Sequence, residues 1–439
     1  MPTMDDIMLA PRSRRPRRFL LLPSLLAALV LSALTSGWTD AQPIKPNIWV
    51  YSDLTDPRNQ RDGGHPKGDP DDLASLASLL LSADRFHIES IVVGSGSFPE
   101  ISNPVEMIED IFVPAYEAHL QGLADPDHPY QPEIQFQWSS VTSAGRVNKF
   151  QKSRSYEDLS DFETVSSLVE YATDHEVYVL VWGALTEPAI LVKHLQTTGN
   201  RAALDNITIV SHWSKSYVMS MHQEELKTDP FAVTNCRMDR DACMYVHEQA
   251  AQGNVKLVQL GSVGQTGIVD GSINYPRIQA FAENPLGQIF MSAKSYNNKQ
   301  DQSDAATYWV FASDLGFDLK RYPTNGDLTR AMEEQRIEKF KALAPAVMDN
   351  LLDRAQASEA EPFPDSFVAD YFTYAYYRWG HYAVYVPAAV PYRILSPDGE
   401  VLLEGEFKQW RNPVDLPKQP QGHYRVELLF PDKTVVKPL

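Results

Sequence analysis

Two cysteines, Cys236 and Cys243, are all that the 439 residues contain. So small a supply excludes a disulfide-scaffolded miniature fold and a thiolate zinc cluster, because structural zinc takes four Cys or His ligands. Seven residues apart, the pair could close a local staple or stay as two buried thiols. Long apolar runs are missing too. The longest, Phe19–Leu34, has about 16 residues and a proline, short of the ~20 that a membrane-spanning helix needs. Basic residues are the third shortage, with 39 Lys and Arg against 57 Asp and Glu and a net charge of −18. Residues 1–41 carry +2 of that balance, leaving −20 for the rest. Such acidity excludes nucleic acid and anionic membrane as partners, since phosphate binding needs a basic face. It is compatible with a calcium site or with an acidic solvated surface. Beyond residue 41 there is no internal repeat and no low-complexity tract.

What is present begins with an arginine-rich start. Arg12, Arg14, Arg15, Arg17 and Arg18 precede the apolar run, and Thr39-Asp40-Ala41 offers small residues where a signal peptidase reads. The expectation is a cleaved export signal over 1–41, a periplasmic or secreted protein and no stable membrane span after cleavage. The Arg17-Arg18 pair before Phe19-Leu20 suits the twin-arginine route.

Strand-like runs at Ile48–Ser52, Ile88–Gly94, Val177–Trp182, Ile207–Ser211 and Val255–Leu260 alternate with helix candidates at 70–83, 104–121, 160–173, 186–198 and 240–251. The strands are continuously apolar, as expected where helices cover both faces of a parallel sheet. The fold class is therefore α/β, with a mostly parallel central sheet flanked by helices over 42–355. Ligands in such sheets bind beyond the carboxyl ends of the strands. A linker and aromatic segment follow over 356–382. Residues 383–439 read as a small all-β, sandwich-like domain, with hairpin turns at Asp398-Gly399 and Pro431-Asp432.

Residues 47–82 hold six aspartates where the first strand gives way to a helix. Asp69-Pro70-Asp71-Asp72 has the composition of a helix start, and that alone explains one or two of them. It leaves Asp53, which directly follows the strand. Carboxylates gathered at one place repel unless a cation joins them, and an oxygen-only set without His or Cys suits calcium.

The stretch "YSD…GDPDDLASLASLLLS", with "FHIESIVVGSGS" after it, resembles the opening of nucleoside hydrolases. "VYVLVWGALTEPAILVKHL", "VTNCRMDRDACMYV" and "NKQDQSDAATYWV" resemble three later segments of that family, in the family's order across 47–315. The likeness extends to its exported bacterial branch, often labelled cellulose-binding, which carries a β-rich C-terminal domain. The resemblance implies a Rossmann-like core and a calcium ion held by Asp53, Asp72, the backbone carbonyl of Thr186 and Asp304. It further implies Asp53 as the base that activates water, Asp69 or Asp71 facing sugar hydroxyls, and Asn235 holding a ribose-like ring. His212, at a strand end on the same edge, is a candidate for sugar stacking or proton donation. The implied activity is hydrolysis of N-glycosidic bonds in a small-molecule or carbohydrate substrate; the other reading is a carbohydrate-binding or surface protein that reuses the fold. Three departures stand out. Leu54–Gly68 interrupts the family's compact aspartate motif, Ser97 stands where nucleoside hydrolases have a sugar-contacting asparagine, and Ser303 where many have a leaving-group histidine. Glu187 replaces the asparagine of "L-T-N" and reads as a helix cap. His65 reads as a solvated loop residue, and the aromatic segment "YFTYAYYRWGHY" as packing between domains.

Overall fold

The apolar run Asn47–Tyr51 forms β1, sending Ile48 and Val50 into one hydrophobic core and Trp49 and Tyr51 into another. That division is the two-residue period of a strand covered on both faces. The computed structural model describes residues 45–439 apart from 62, 63, 69, 97–99, 144, 146, 294, 297, 298 and 379. The expected export signal over 1–41, Asp69 and Ser97 lie outside the described residues.

Five further strands join β1: β2 (His87–Val93), β3 (Phe136–Trp138), β4 (Val177–Val181), β5 (Ile207–Ser211) and β6 (Lys256–Gln259). They lie in the order β3-β2-β1-β4-β5-β6, every neighbouring pair parallel. Val50 faces Ile91 on one side and Leu180 on the other. The chain winds outward in opposite directions from β1 and β4, so the topological switch point falls between these two strands. In a doubly wound sheet the crevice at their carboxyl ends is where a ligand fits.

Helices α1 (Asp71–Leu81), α2 (Val113–Gln121), α6 (Pro285–Ala293) and α7 (Arg330–Gln356) pack on one face. The other face carries α3 (Glu163–Asp174), α4 (Thr186–Thr198) and α5 (Arg240–Ala251). Every residue of α1 is buried, and α1 packs closely against α6, while the Tyr308 hydroxyl donates to the Ser75 carbonyl at 3.0 Å. The helix expected at 104–121 forms, with a π-helical turn at Ile108–Phe112 directly before α2. Pro114 is the physical reason, because a proline donates no N–H and its ring crowds the carbonyl four residues back.

The aromatic stretch folds as α8 (Asp365–Phe372) followed by β9 (Tyr374–Arg378) and β10 (His381–Val386). A three-stranded antiparallel sheet, β13-β10-β9, includes β13 (Trp410–Val414). A four-stranded one, β12-β11-β14-β15, comprises β11 (Val390–Leu395), β12 (Val401–Phe407), β14 (Arg425–Leu429) and β15 (Thr434–Pro438). Both contribute to one core containing Val384, Ile394, Phe407 and Val426. Gly399 turns the β11–β12 hairpin at φ +86°, a conformation that suits glycine. A two-residue pair, β7 (Ser295–Tyr296) with β8 (Lys299–Gln300), precedes Asp304. Cys236 and Cys243 are joined as a disulfide that ties the turn Thr234–Met238 to α5. No helix among the described residues is long and apolar enough to cross a membrane.

Candidate active site and metal centre

Where β1 ends, Ser52 bonds back to the Val92 carbonyl through its backbone N–H and donates its hydroxyl to the Asp72 carboxylate. This single residue therefore ties the strand end to the first turn of α1. Asp71 and Asp72 open that helix, and Asp304 approaches from the 3₁₀ turn Ser303–Ala305. One carboxylate oxygen from each of the three lies within 4.8 Å of the others, with the residues only 8, 1 and 2% exposed. Ser303 Oγ donates to Asp71 Oδ2 at 2.8 Å, and His212 Nε2 lies 3.6 Å from Asp304 Oδ1. The same imidazole nitrogen is 2.9 Å from the Gln265 amide nitrogen. Three buried negative charges at this spacing repel strongly, and a hard divalent cation is the economical way to offset them. The donor set is all oxygen and buried, which fits such an ion.

Asp53 lies one residue beyond Ser52, 3% exposed, with its carboxylate packed on Gly183 just after β4. A Cβ at Gly183 would sit 2.7 Å from Asp53 Oδ1, so the glycine makes room for the carboxylate at the switch point. Asp53 lines a cavity of about 290 Å³ together with Arg61, His65, Gly68, His222, Thr234 and Arg237. The described carboxylates that draw together are thus Asp71, Asp72 and Asp304, while Asp53, next in the chain to the Ser52 that bonds Asp72, lines the cavity. Ser52 spends its hydroxyl on Asp72, and Asp71 precedes Asp72 on the same first turn, so this turn brings both helix aspartates to Asp304.

Thr186 opens α4 and donates its hydroxyl to Asp239 Oδ2 at 2.9 Å. Its carbonyl stands at the start of the helical ladder. Asp239 also accepts from the Phe150 N–H at 2.8 Å and caps α5. Asn235 donates its side-chain amide to the Trp182 carbonyl at 2.6 Å and the His212 carbonyl at 3.2 Å, joining the ends of β4 and β5. The donors of that amide serve the scaffold, which leaves the Asn235 side-chain oxygen as its group for a ligand. His212 is 1% exposed, held between Asp304, Gln265 and Gly264, where a Cβ would lie 2.7 Å from its ring.

Two carboxylates that hold the site together are hard to find in sequence. Glu187 is fully buried and accepts from Ser95 Oγ at 2.6 Å and from Ser139 Oγ, so it knits α4 to the loops after β2 and β3. Burial pushes its carboxyl up from the ordinary value, an effect its serine donors partly offset. Glu333, in the first turn of α7, accepts from Ser216 Oγ (2.6 Å), Tyr217 N (2.6 Å), Ser262 N (2.8 Å) and Ser262 Oγ (2.8 Å). It closes the loops after β5 and β6 onto one another. The four serines were the available clue, each one to a few residues beyond a strand end on this edge.

The Leu54–Gly68 insertion folds back as a small hairpin, with Arg61 N donating to the His65 carbonyl and Lys67 N to the Asn59 carbonyl. Gly64, at φ +91°, lies directly on the Ala375 carbonyl of β9. The His65 ring is 4.9 Å from that of Tyr376, and Tyr374, Tyr376 and Tyr385 stack behind it. The insertion is therefore held between the site and the β region.

Residues 63–228 match the family described as "Cellulose-binding Sde182, nucleoside hydrolase-like domain". Over these residues the chain is similar to nucleoside hydrolase-like proteins. No curated protein shows significant similarity to it. Among solved structures it is similar to the type III effector XopQ complexed with adenosine diphosphate ribose, at 13% identity over 74% of this chain and 99% of that one, TM-score 0.41. A nucleoside hydrolase-related protein from Saccharophagus degradans, associated with carbohydrate metabolism, is 12% identical over 90% and 98%, TM-score 0.39. A purine-preferring ribonucleoside hydrolase from Gardnerella vaginalis is 13% identical over 72% and 99%, TM-score 0.36.

Proposed function

We propose that the protein is an exported, calcium-dependent hydrolase of N-glycosidic, ribosyl-type bonds. The observation that carries this reading is the convergence of Asp71, Asp72 and Asp304, with Asp53, next in the chain to the Ser52 that bonds Asp72, lining a cavity. Those three carboxylates would hold calcium, which when bound supplies a fixed positive charge that orients a water and sugar hydroxyls. Asp53, placed on the cavity wall, takes the proton of the attacking water as general base. The neighbouring carboxylates and the Asn235 side-chain oxygen favour the positive charge that develops on the sugar as the glycosidic bond breaks. His65 and His222 line the same cavity and are the protonatable groups positioned to meet a departing base, a task the buried Ser303 is not built for. The second reading is a carbohydrate-binding protein on the same scaffold with catalysis lost. Ser303 bonded to Asp71 favours it, because that serine occupies the position of the family's leaving-group histidine.

Turnover of a chromogenic riboside separates the two. The wild type should lose activity in a calcium chelator and regain it with calcium, and Asp53→Asn should lower kcat by about 10²–10⁴-fold. Saturable binding of the riboside with no turnover in the wild type would select the binding-protein reading instead.

A further inference from the structure

A second cavity, of about 190 Å³, lies where the α/β region meets β13, lined by Ser272, Asn274, Tyr275, Ile278, Gln279, Gln300 and Trp410. We propose that it is a binding site for one ring of a neutral oligosaccharide, separate from the aspartate centre. Several observations converge on it. Among the described residues no charged side chain lines it, although charged residues make up 22% of the chain, so it is not built for an ion. Its polar side chains are three amides and the hydroxyls of Ser272 and Tyr275; Ser272, Tyr275, Gln279 and Gln300 donate to protein acceptors, so oxygens that can accept from sugar hydroxyls face the cavity beside the Asn274 amide. Its apolar part is two aromatic rings, Tyr275 and Trp410, beside Ile278; aromatic carbon suits the C–H faces of a pyranose.

Further observations concern how the walls are held. Trp410 N–H donates to the Met291 carbonyl at 3.1 Å, and Gln279 Nε2 donates to Gln409 Oε1 at 2.8 Å, so contacts across the two regions fix both walls. Trp410 sits at φ +75° and Asn274 at φ +54°, two of only five non-glycine residues with positive φ among those described. For a tryptophan that conformation is a genuine outlier, and such strain clusters where a side chain must be aimed at a ligand. Finally, Gln300 is 3% exposed and gives its Nε2 to the Phe290 carbonyl, while its Oε1 is buried with no hydrogen-bond partner among the described residues. A buried amide oxygen left so is costly, and a ligand hydroxyl would satisfy it. The volume is below the roughly 300–1,000 Å³ of pockets for drug-sized ligands, so a single ring fits, with the remaining chain leaving past the exposed Asn274 and Gln279.

Calorimetric titration of the full chain with cellotetraose and with xylotetraose tests this. The expected result is binding of at least one of them, retained in Asp304→Ala, and weakened about five- to tenfold in Asn274→Ala and in Gln279→Ala, the loss of roughly one hydrogen bond each. Both substituted residues are exposed, and an unchanged Tm in each variant separates lost sugar contacts from lost structure. Gln300→Leu, which removes the unpartnered oxygen together with the donor to the Phe290 carbonyl, should weaken binding in protein that is still folded at the temperature of the titration. Absence of binding to both sugars, unchanged affinity in Asn274→Ala and Gln279→Ala, or loss of binding in Asp304→Ala would each overturn the proposal.

Discussion

At the scale of single residues, the buried carboxylates divide into two kinds. Glu333 and Glu187 sit among hydroxyl and amide donors that satisfy them, whereas Asp71, Asp72 and Asp304 sit against one another. The first kind is structural. Glu333→Ala would leave the donors from Ser216, Tyr217 and Ser262 without their acceptor, and it should cost about 3–5 kcal/mol in urea unfolding; a cost under about 1 kcal/mol would show that water replaces the carboxylate. A buried histidine contributes to the loss of stability in acid. Burial lowers His119 to about 4, with His128 and Arg354 adding to the effect. A folded value below the unfolded one of ~6.5 means that the unfolded chain binds the extra proton. Stability from this residue is therefore complete above pH ~6.5 and lost as pH falls towards 4, on the order of 3 kcal/mol across that window. His119→Gln should flatten the decline of unfolding free energy between pH 6.5 and 4 relative to the wild type, and identical slopes would remove His119 as a cause.

At the scale of elements, the insertion 54–68 shows how a loop becomes part of a site. Its hairpin is clamped between the cavity wall and β9, and Gly64 is the contact point. An added methyl would overlap the Ala375 carbonyl, and φ +91° is strained for any other residue. Gly64→Ala should lower Tm and open the segment to trypsin after Arg58 and Arg61; unchanged cleavage would mean that the hairpin holds without the β region. This clamp was not legible in the sequence, because it joins residues more than three hundred positions apart. Nor were the four donors to Glu333, gathered from two separate segments, Ser216-Tyr217 and Ser262. The five long strands were legible, since each is an apolar run buried on both faces. β3 was not: three half-buried residues, Phe136–Trp138, at the sheet edge carry no such run. The C-terminal hairpins at Asp398-Gly399 and Pro431-Asp432 were legible because turn chemistry is local. Of the site, strand ends pointed to Asp53 and His212, while Asp72 and Asp304 entered through the resemblance of their segments to nucleoside hydrolases. Which carboxylates approach one another depended on the rotation of α1 and on Ser52, and no spacing encodes that.

At the scale of the whole molecule, a chain with a net charge of −18 concentrates buried acid at its switch point. Mutual repulsion should make that centre the weakest part of the fold without a cation and a well-tied part with one. Binding linkage gives the size of the effect, RT ln(1 + [L]/Kd), or about 2.7 kcal/mol at a hundredfold excess over Kd. The most direct test is thermal unfolding with and without millimolar calcium, in the wild type, in Asp304→Ala and in the exposed control Asp127→Ala. The account requires a calcium-induced rise in Tm for the wild type and for Asp127→Ala, and little or none for Asp304→Ala. An equal rise in all three, or none in the wild type, would contradict a calcium centre at Asp71, Asp72 and Asp304.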